Sequence, residues 1–525
     1  MKRAQVRAAA ICAAVLTVAG CGSGAESEGQ LAIDGTFRQV LGLDVPSFHP
    51  YRDQVAAVYS TYLYDSLVNI TPANEIVSGL ADEWTSTPTS GEFTLRPGVT
   101  CSDGTPLRPV DVADALNYQR DPQRAPVAAA ALAGIPDFTA TADDAARTVT
   151  VTTQRPFSFV VRLLGTLPIV CPKGLADPEM LDKGSSGTGP YVLTEYTSGG
   201  PYVLDVRQGY HWGPRGARTD ARGTPARIVL SVVSSPVTAA NQLTVGAVDA
   251  FYTVDPDSVR APGPDVTRIS QPTVVGLASF NERIDRATSD PAVRTALLAA
   301  LDPDQAAAVA TGGRGEPARS LLFPGAFCRG DTVSGNRPGY DLAAAGRMLD
   351  QAGWVPGADG VRGREGRRLE LKLVTFSTSP QLRSTAEFMA GEWKKIGAEV
   401  TIDAVAVIAF ITVTQQGGDW DLSLGGGVVG SLPSDLMPFF SGAPPPQGRN
   451  AGAVDNPDYL SLTQQASAVP DEASCPLWQQ AEAALIRRAD TIVIAETTSA
   501  WFASRARFEV AANTTVIPTS IRMYG

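Results

Sequence analysis

Histidine is almost absent from this chain, and so are the short motifs of common catalytic sites. Only His49 and His211 occur among the 525 residues. The chain contains no Gly-x-Ser-x-Gly nucleophile elbow, no His-Glu-x-x-His zinc motif and no Gly-x-x-x-x-Gly-Lys-Ser/Thr phosphate loop. Most acid–base and nucleophilic mechanisms need a base held beside a reacting group, so we expect a protein that binds and is not an enzyme.

An excess of basic residues is also missing. The chain has 43 Lys and Arg against 54 Asp and Glu, which gives a formal net charge of −11. Nucleic acids and anionic lipids attract basic proteins, so nucleic acid is not an expected partner. Apolar residues make up 44% of the chain, as in a well-packed body. The length exceeds what one hydrophobic core accommodates, so two or three domains are expected.

Long apolar runs are missing as well. The run over residues 8–19 is too short to span a bilayer as a helix. It follows three basic residues close to the amino end of the chain, Lys2, Arg3 and Arg7. A basic start before a short apolar run is typical of an export signal.

The end of this run, Val-Ala-Gly before Cys21, resembles the lipobox of bacterial lipoproteins. The resemblance implies that residues 1–20 are removed and that Cys21 is acylated. The remaining 505 residues would then be anchored outside the cytoplasmic membrane through a flexible tether, residues 21–30. The alternative is an ordinary secretory signal that is cut elsewhere.

Strand-like and helix-like patterns alternate along the rest of the chain. Residues 369–375 and 399–405 are predicted strands, and residues 384–396 between them are a predicted helix. This βαβ order predicts a parallel sheet in the second half. Residues 58–68 show helical spacing, and Ser289 is the expected cap of a helix that begins near Pro291. The fold class is therefore mixed α/β.

Five blocks, in order along the chain, resemble the signature segments of one protein family. They are residues 80–84 with 93–99, 102–107 and 111–112; residues 187–191; residues 209–213; residues 279–281 with 290–296 and 301–302; and residues 420–422 with 437–440. On these blocks the chain is similar to the extracellular solute-binding proteins of family 5, the peptide and nickel class of ABC importer receptors.

The resemblance implies a two-lobed fold of the periplasmic-binding-protein type with a hinge (type II, cluster C-like). The first lobe would comprise residues 31–276, with an extra subdomain at about 66–186. The second lobe would comprise residues 277–488, and residues 489–525 would return to the first lobe.

The implied function is the capture of a small solute, by family default a peptide, between the two lobes. The implied partners are an ABC permease with its ATPase and, through the lipid anchor, the membrane. We expect a monomer outside the cytoplasm without a cofactor. Alternatives are a non-peptide cargo, such as a sugar, an opine or a metal chelate, and a sensor or scaffold lipoprotein of the same fold.

The first ligand-facing loop implied by the resemblance contains Arg52, Asp53 and Gln54. Arg52 would pair with a ligand carboxylate through two hydrogen bonds, and Asp53 would accept from an amine. A solvated surface loop is the alternative reading of these residues.

The second implied ligand-facing segment is residues 425–435, and here the chain departs from the family pattern. Peptide receptors of this class carry an aromatic residue and then an Asp that holds the free amine of the peptide. The matching positions are Val428 or Val429 and Ser431. Either Asp53 or Asp435 supplies the missing charge, or the ligand has no ammonium group there.

Nickel, the other cargo of the class, is not expected. Nickel sites favour imidazole ligands, and one histidine near the cleft makes a poor metal site. No metal site is therefore predicted.

Four cysteines follow Cys21, and none of them forms a Cys-x-x-Cys pair. Outside the cytoplasm an even number favours disulfides. Of the three possible pairings, Cys101 with Cys171 and Cys328 with Cys475 keeps each bridge within one of the implied lobes. Four buried thiols are the alternative.

Overall fold

A computed structural model describes residues 30–525 except 133, 136, 260–262, 264, 426–430 and 513. The predicted signal (1–20) and the lipid-attachment residue Cys21 lie outside the described residues. None of the helices in the described part of the chain is both long and apolar enough to cross a bilayer.

The strands of the described chain form one large sheet and several small ones. In chain order they are β1 (Thr36–Leu41), β2 (Val68–Ile70), β3 (Ile76–Ser78), β4 (Ala81–Thr87), β5 (Ser90–Leu95), β6 (Phe138–Asp143), β7 (Thr148–Thr153), β8 (Tyr191–Tyr196), β9 (Tyr202–Val206), β10 (Arg227–Val232), β11 (Ala250–Thr253), β12 (Thr267–Phe280), β13 (Glu316–Pro317), β14 (Val355–Pro356), β15 (Arg362–Arg364), β16 (Arg367–Arg368), β17 (Glu370–Phe376), β18 (Glu399–Val405), β19 (Leu422–Gly425), β20 (Thr491–Ala503), β21 (Ala506–Arg507) and β22 (Arg522–Met523).

Helices pack around these sheets, and most of them begin with a proline, which suits the first helical position. In chain order they are α1 (Gln54–Tyr59), α2 (Pro109–Tyr118), α3 (Pro126–Ala131), α4 (Pro172–Ala176), α5 (Pro236–Thr244), α6 (Pro291–Ala299), α7 (Pro303–Thr311), α8 (Leu342–Gln351), α9 (Pro380–Lys395), α10 (Val407–Gln415), α11 (Met437–Phe440), α12 (Pro457–Ser467) and α13 (Cys475–Arg487).

Two local predictions are wrong. The cap of α6 is Asp290, whose carboxylate accepts the Ala292 N–H at 2.9 Å, so Ser289 lies one residue too early. Residues 58–68 are not one helix, because α1 ends at Tyr59 and Val68 begins β2. The side chains between these points are drawn into the core of the first lobe instead: Tyr62 is buried and donates to the Gln39 side chain at 2.6 Å.

The large sheet runs in the order β18-β17-β19-β12-β20-β11-β1-β10-β9-β8. Its two longest strands, β12 and β20, pair antiparallel from Thr267 to Ser279 and connect its two halves. One half, with β1 and β8–β11, is the first lobe, and the other, with β17–β19, is the second lobe. The paired strands β12 and β20 are therefore the hinge.

The directions of the strands determine where the carboxyl ends of the two halves of the large sheet lie. β1, β10 and β11 run in the same direction as β12, whereas β17, β18 and β19 run in the opposite direction. The carboxyl ends of the parallel strands in both lobes therefore point into the same space, beside the middle of the hinge. Open α/β sheets bind ligands at such carboxyl edges.

Each part of the molecule has an apolar core. The first-lobe core joins β1 and β10 to the carboxyl end of the chain, where Trp501 and Ile521 are buried. The second-lobe core is built around α6, α9 and β17, with Trp393 fully buried. A third core lies under the four-stranded sheet β4-β5-β7-β6, at the place where the sequence predicts a subdomain of the first lobe, and it also includes Ala466 and Trp478 from the second lobe.

Both disulfides connect distant segments of the chain. Cys101 is bonded to Cys171 within the subdomain, with Cα atoms 6.1 Å apart. Cys328 is bonded to Cys475 at the start of α13 in the second lobe, with Cα atoms 4.8 Å apart. These are the pairs favoured above, each within one lobe.

Candidate functional site

The space between the lobes is a cleft whose floor is the middle of the hinge. Thr253, at the end of β11, lies level with Ser270 of β12, and Gly425, at the end of β19, lies level with Leu277. Seven residues of extended chain separate these levels, which corresponds to about 23 Å. Such a gap accommodates a small solute.

The two lobes touch on one side of this cleft. Arg314 of the second lobe forms ion pairs with Asp255 at 2.9 Å and Asp257 at 3.3 Å, both in the first lobe. Gln381, at the start of α9, donates to Asp255 at 3.4 Å. The segment after β11 and the segment after β17 are thus close together, as the strand directions require.

The predicted loop of the first lobe lies between β1 and α1. The exposed Arg52 donates through Nε to the Arg124 carbonyl at 3.1 Å. Asp53 accepts the Ala56 N–H at 2.8 Å and so holds the first turn of α1, while Gln54 is exposed. The loop also contacts α3, since Val127 donates its N–H to the Tyr51 carbonyl at 3.1 Å.

His49 is buried beneath this loop. Its Nδ1 accepts the Tyr51 N–H at 3.2 Å. Burial and the nearby Arg52 charge lower the pKa of His49 to about 4, so its ring is neutral at physiological pH. His211 is exposed in the loop before Trp212. Within the described residues no three His, Cys, Asp or Glu side chains are grouped in a way that would hold a metal ion.

The predicted loop of the second lobe is described only in part. Val428 and Val429 lie outside the described residues. Ser431 is exposed, and its carbonyl accepts the Phe327 N–H at 3.0 Å. Asp435 accepts the Leu432 N–H at 3.1 Å and so caps the short turn that precedes α11. Asp53 and Asp435 are therefore both engaged with backbone groups.

Asp435 provides a test of this structural role. Burial raises the pKa of its carboxyl to about 6, although hydrogen bonds from the backbone of Leu432 and Ser431 act in the opposite direction. The folded state thus binds this proton more tightly than the unfolded chain. The resulting stability is fully present below pH 3.9 or so and is lost as the pH rises through about 6.

We expect Asp435→Asn to remove this dependence, since an amide oxygen still accepts the Leu432 N–H. Measured by urea unfolding, the stability of the variant relative to the natural protein should increase by about 2–3 kcal/mol between pH 4 and pH 7. A difference between the two proteins that is the same at both pH values would contradict the assigned role.

Exposed apolar side chains also lie at the second-lobe edge, and the sequence prediction did not name them. α10 directly follows β18, and the Val407, Ile408 and Ile411 side chains on it are exposed. Phe410 of the same helix is half-buried and packs against Phe376, at the end of β17, with ring centroids 4.4 Å apart. One sequence signal could have identified these side chains: the apolar run Val-Ile-Ala-Phe-Ile, residues 407–411, directly follows a predicted strand.

A second contact between the lobes joins residues 158–162 of the first lobe to residues 466–478 of the second lobe. Arg162 forms a two-pronged ion pair with Asp471 at 2.8 and 3.0 Å. Phe159 stacks on Trp478 of α13, with ring centroids 5.8 Å apart. The Ser158 hydroxyl donates to the Ala466 carbonyl at 2.7 Å. We call these residues the latch.

Two surface hollows occur in the described part of the chain. One, of about 460 Å³, is in the subdomain and is lined by Asp114, Tyr118 and Leu175, among others. The other, of about 830 Å³, is in the second lobe beside Arg337, Tyr340 and Val493. Neither includes a predicted site residue.

A family model and curated relatives match this chain. The model for bacterial extracellular solute-binding proteins, family 5 middle region, matches residues 75–446. Protein XP55 of Streptomyces lividans is 32% identical over 59% of the chain and 55% of its own length. The nickel-binding periplasmic protein of Escherichia coli is 25% identical over 65% of each chain. The matches thus span less than two thirds of the length of these relatives.

Solved structures match nearly the whole chain. A substrate-binding protein from Microbacterium hydrocarbonoxydans, complexed with 4-hydroxybenzoate hydrazide, has 26% identity and a TM-score of 0.73, covering 93% of this chain and 100% of that one. The oligopeptide-binding protein AppA of Bacillus subtilis, in complex with a nonapeptide, has 17% identity and a TM-score of 0.74, covering 94% and 99%. At this identity the likeness to AppA concerns the fold.

Proposed function

We propose, since the chain belongs to family 5 of the bacterial extracellular solute-binding proteins, that it captures a peptide-like solute in the cleft and delivers it to an ABC permease and its ATPase. The observation that carries this proposal is the convergence of the two sets of strand carboxyl ends beside a two-strand hinge. Proteins of this family are binding proteins for transport and not enzymes.

Closure of the lobes is the physical basis of the proposed capture. A ligand that touches both lobes favours the closed state only by the amount by which it binds that state more tightly. The hinge bends while the lobes move as bodies, so the closed outline signals occupancy to a partner. No bond of the solute is broken.

We further propose that the chain is held at the outer face of the membrane by an acylated Cys21. This rests on the lipobox-like sequence before Cys21. The described chain begins at Gln30, whose carbonyl accepts the Gly525 N–H at 3.0 Å, so the tether would leave from the first lobe.

Arg52, Gln54, Val428, Val429 and Ser431 are proposed to border the solute. Arg52, Gln54 and Ser431 are exposed on the loops that follow β1 and β19. The family resemblance implies that Ser431 takes the position where peptide receptors of this class carry an acid.

Asp53 and Asp435, proposed as replacement anchors for an amine, already hold turns through their carboxylates. We therefore favour a solute that needs no ammonium group at this point. The relatives allow for this, since one solved structure at 26% identity holds an aryl hydrazide.

The amine question has a direct test. Calorimetry should show tri-leucine and N-acetyl-tri-leucine binding within about threefold of each other, because the Asp53 and Asp435 carboxylates already accept backbone N–H groups. A strong preference for the free amine, lost in Asp53→Ala or Asp435→Ala, would restore the anchor and contradict this choice.

The proposed function itself is tested by the solute that the protein carries. Mass spectrometry of material released from the purified, denatured protein should reveal a peptide-like compound. Small-angle scattering should show a more compact outline once the emptied protein is supplied with it. An unchanged outline with every compound offered, or chemical conversion of a compound, would overturn the proposal.

A further inference from the structure

Exposed apolar side chains gather at the cleft edges of both lobes. Leu43 follows β1 and is 66% exposed, and Val254 follows β11 and is 69% exposed. On the second lobe, Ile408 of α10 is 75% exposed, and Val407 and Ile411 are exposed beside it. All five lie directly after the carboxyl ends of parallel strands, where the cleft has its walls.

The three residues of α10 form one apolar strip, because Ile411 lies three positions after Ile408 and four after Val407, and residues at these spacings are neighbours on a helix. The helix is held in place by Phe410, which packs against Phe376. A Cβ at Gly425 would lie 3.8 Å from the Phe410 ring, so the same aromatic ring also adjoins the end of β19. The exposed face is thus presented by a supported helix beside the second-lobe loop.

Carboxylates near these edges already have partners. Asp44, after β1, accepts the Tyr202 hydroxyl. Asp255 is paired with Arg314 at 2.9 Å. Glu496, in the middle of β20, accepts from the Arg319 N–H at 2.7 Å and from Arg329 at 2.5 Å. These groups are poorly suited to attract a charged ligand, since each already interacts with a protein donor.

We propose that the cargo carries a large apolar group, aromatic or branched aliphatic, which packs on the Val407, Ile408 and Ile411 face. This inference rests on the proposed function and names the class of solute: amide-bearing compounds recognised mainly by apolar burial. Closure would remove this face from water together with the apolar group of the solute, and burial of apolar surface provides the affinity. Polar chelates and small hydrophilic peptides are outside this class.

The test uses two capped amino-acid amides with the same backbone. N-acetyl-phenylalaninamide should bind at least tenfold more tightly than N-acetyl-glycinamide in calorimetry, because the benzyl group adds apolar area to the contact. Ile408→Ser should weaken the binding of N-acetyl-phenylalaninamide about tenfold. The difference in affinity between the two amides should therefore become much smaller.

Ile284→Ser is the matched control. Ile284 is 95% exposed, but it follows the end of β12 that is far from the cleft. It should leave both affinities unchanged. If both amides bind equally, or if Ile408→Ser has no more effect than Ile284→Ser, the apolar-cargo inference is wrong while the receptor function stands. A different outcome would overturn the proposed function, and the inference with it. In that outcome none of the compounds offered, which are the two amides, tri-leucine and the released native solute, binds the protein or closes the lobes.

Discussion

Asp471→Ala is expected to weaken solute binding by one to two orders of magnitude while changing the melting temperature only slightly. Arg162, which pairs with Asp471, has a side chain that is only 7% exposed. Its guanidinium also lies 3.5 Å from the centre of the Phe327 ring and donates to the Asn74 carbonyl at 2.8 Å. Removing Asp471 leaves this buried cation without its counter-ion whenever the latch is formed.

The penalty falls on the closed state because the latch joins the subdomain to the second lobe. We expect lobe separation to break the latch and return Arg162 to water, so that the open state does not suffer from the loss of Asp471. Breaking a fully buried ion pair costs about 3 kcal/mol, and the loss is smaller here because the Asp471 side chain is 39% exposed. Apparent affinity falls in proportion to the closed fraction, which gives the expected 10- to 100-fold loss.

Asp471 also has an unusual backbone. Its φ is 40°, in the left-handed region that non-glycine residues rarely adopt. Its N–H donates to the Ser158 carbonyl across the latch at 2.9 Å. Strained residues of this kind persist where surrounding contacts hold them and are found in elements that switch.

The latch is checked by calorimetry with the native solute and by scattering of the empty protein. Asp220→Ala is the matched control, because Asp220 pairs with Arg218 on an open surface where ion pairs contribute little. A double-mutant cycle with Arg162→Ala should show coupling between the two residues. Equal solute affinities of Asp471→Ala and Asp220→Ala would show that the latch does not favour closure.

Replacing both Cys328 and Cys475 with serine is expected to destabilise the second lobe by about 3–5 kcal/mol. The bridge spans 147 residues of the sequence, and closing a loop of this length restricts the unfolded chain strongly. The bridge between Cys101 and Cys171 spans 70 residues. Because the entropy depends on the logarithm of loop length, its removal should cost a similar amount.

Only the Cys328–Cys475 bridge should affect solute binding. Cys328 follows Phe327, which lies under Arg162, and Cys475 begins the helix that carries Trp478. Cys328→Ser with Cys475→Ser should therefore weaken solute binding as well as stability. Cys101→Ser with Cys171→Ser should lower stability alone.

Thermal unfolding and calorimetry of the two double variants measure both effects. An Ellman titration of the unfolded, unreduced protein is the prior check, since four free thiols would eliminate both bridges. Equal loss of solute affinity in the two double variants would contradict the link between Cys328–Cys475 and the latch.

Local elements with strong patterns could be predicted from the sequence. The strand predicted over residues 399–405 is β18 without change, and the strand over 369–375 is β17 displaced by one residue. The helix predicted from residue 384 begins earlier, at Pro380, because Ser379 caps it by accepting the Leu382 N–H. Periodicity identifies the type of an element well but leaves its ends to capping contacts.

The candidate site was predicted less completely. Arg52, Gln54 and Ser431 are exposed on the loops that the family pattern indicated. Asp53 and Asp435 are on those loops too, but their carboxylates serve the backbone. Whether a carboxylate is free for a ligand depends on the neighbours it meets after folding, and residue type alone does not reveal this.

By itself, the sequence determined the family, the mixed α/β class and the lack of catalytic motifs, because each of these is written in residue order or spacing. The tertiary structure alone decided the latch and the positions of the exposed apolar side chains that follow the strands of both lobes. Arg162 and Asp471 are 309 residues apart, and Leu43 and Ile408 are exposed at the cleft edges of different lobes. Such pairings arise from strand order and direction across the hinge, which local propensity does not encode.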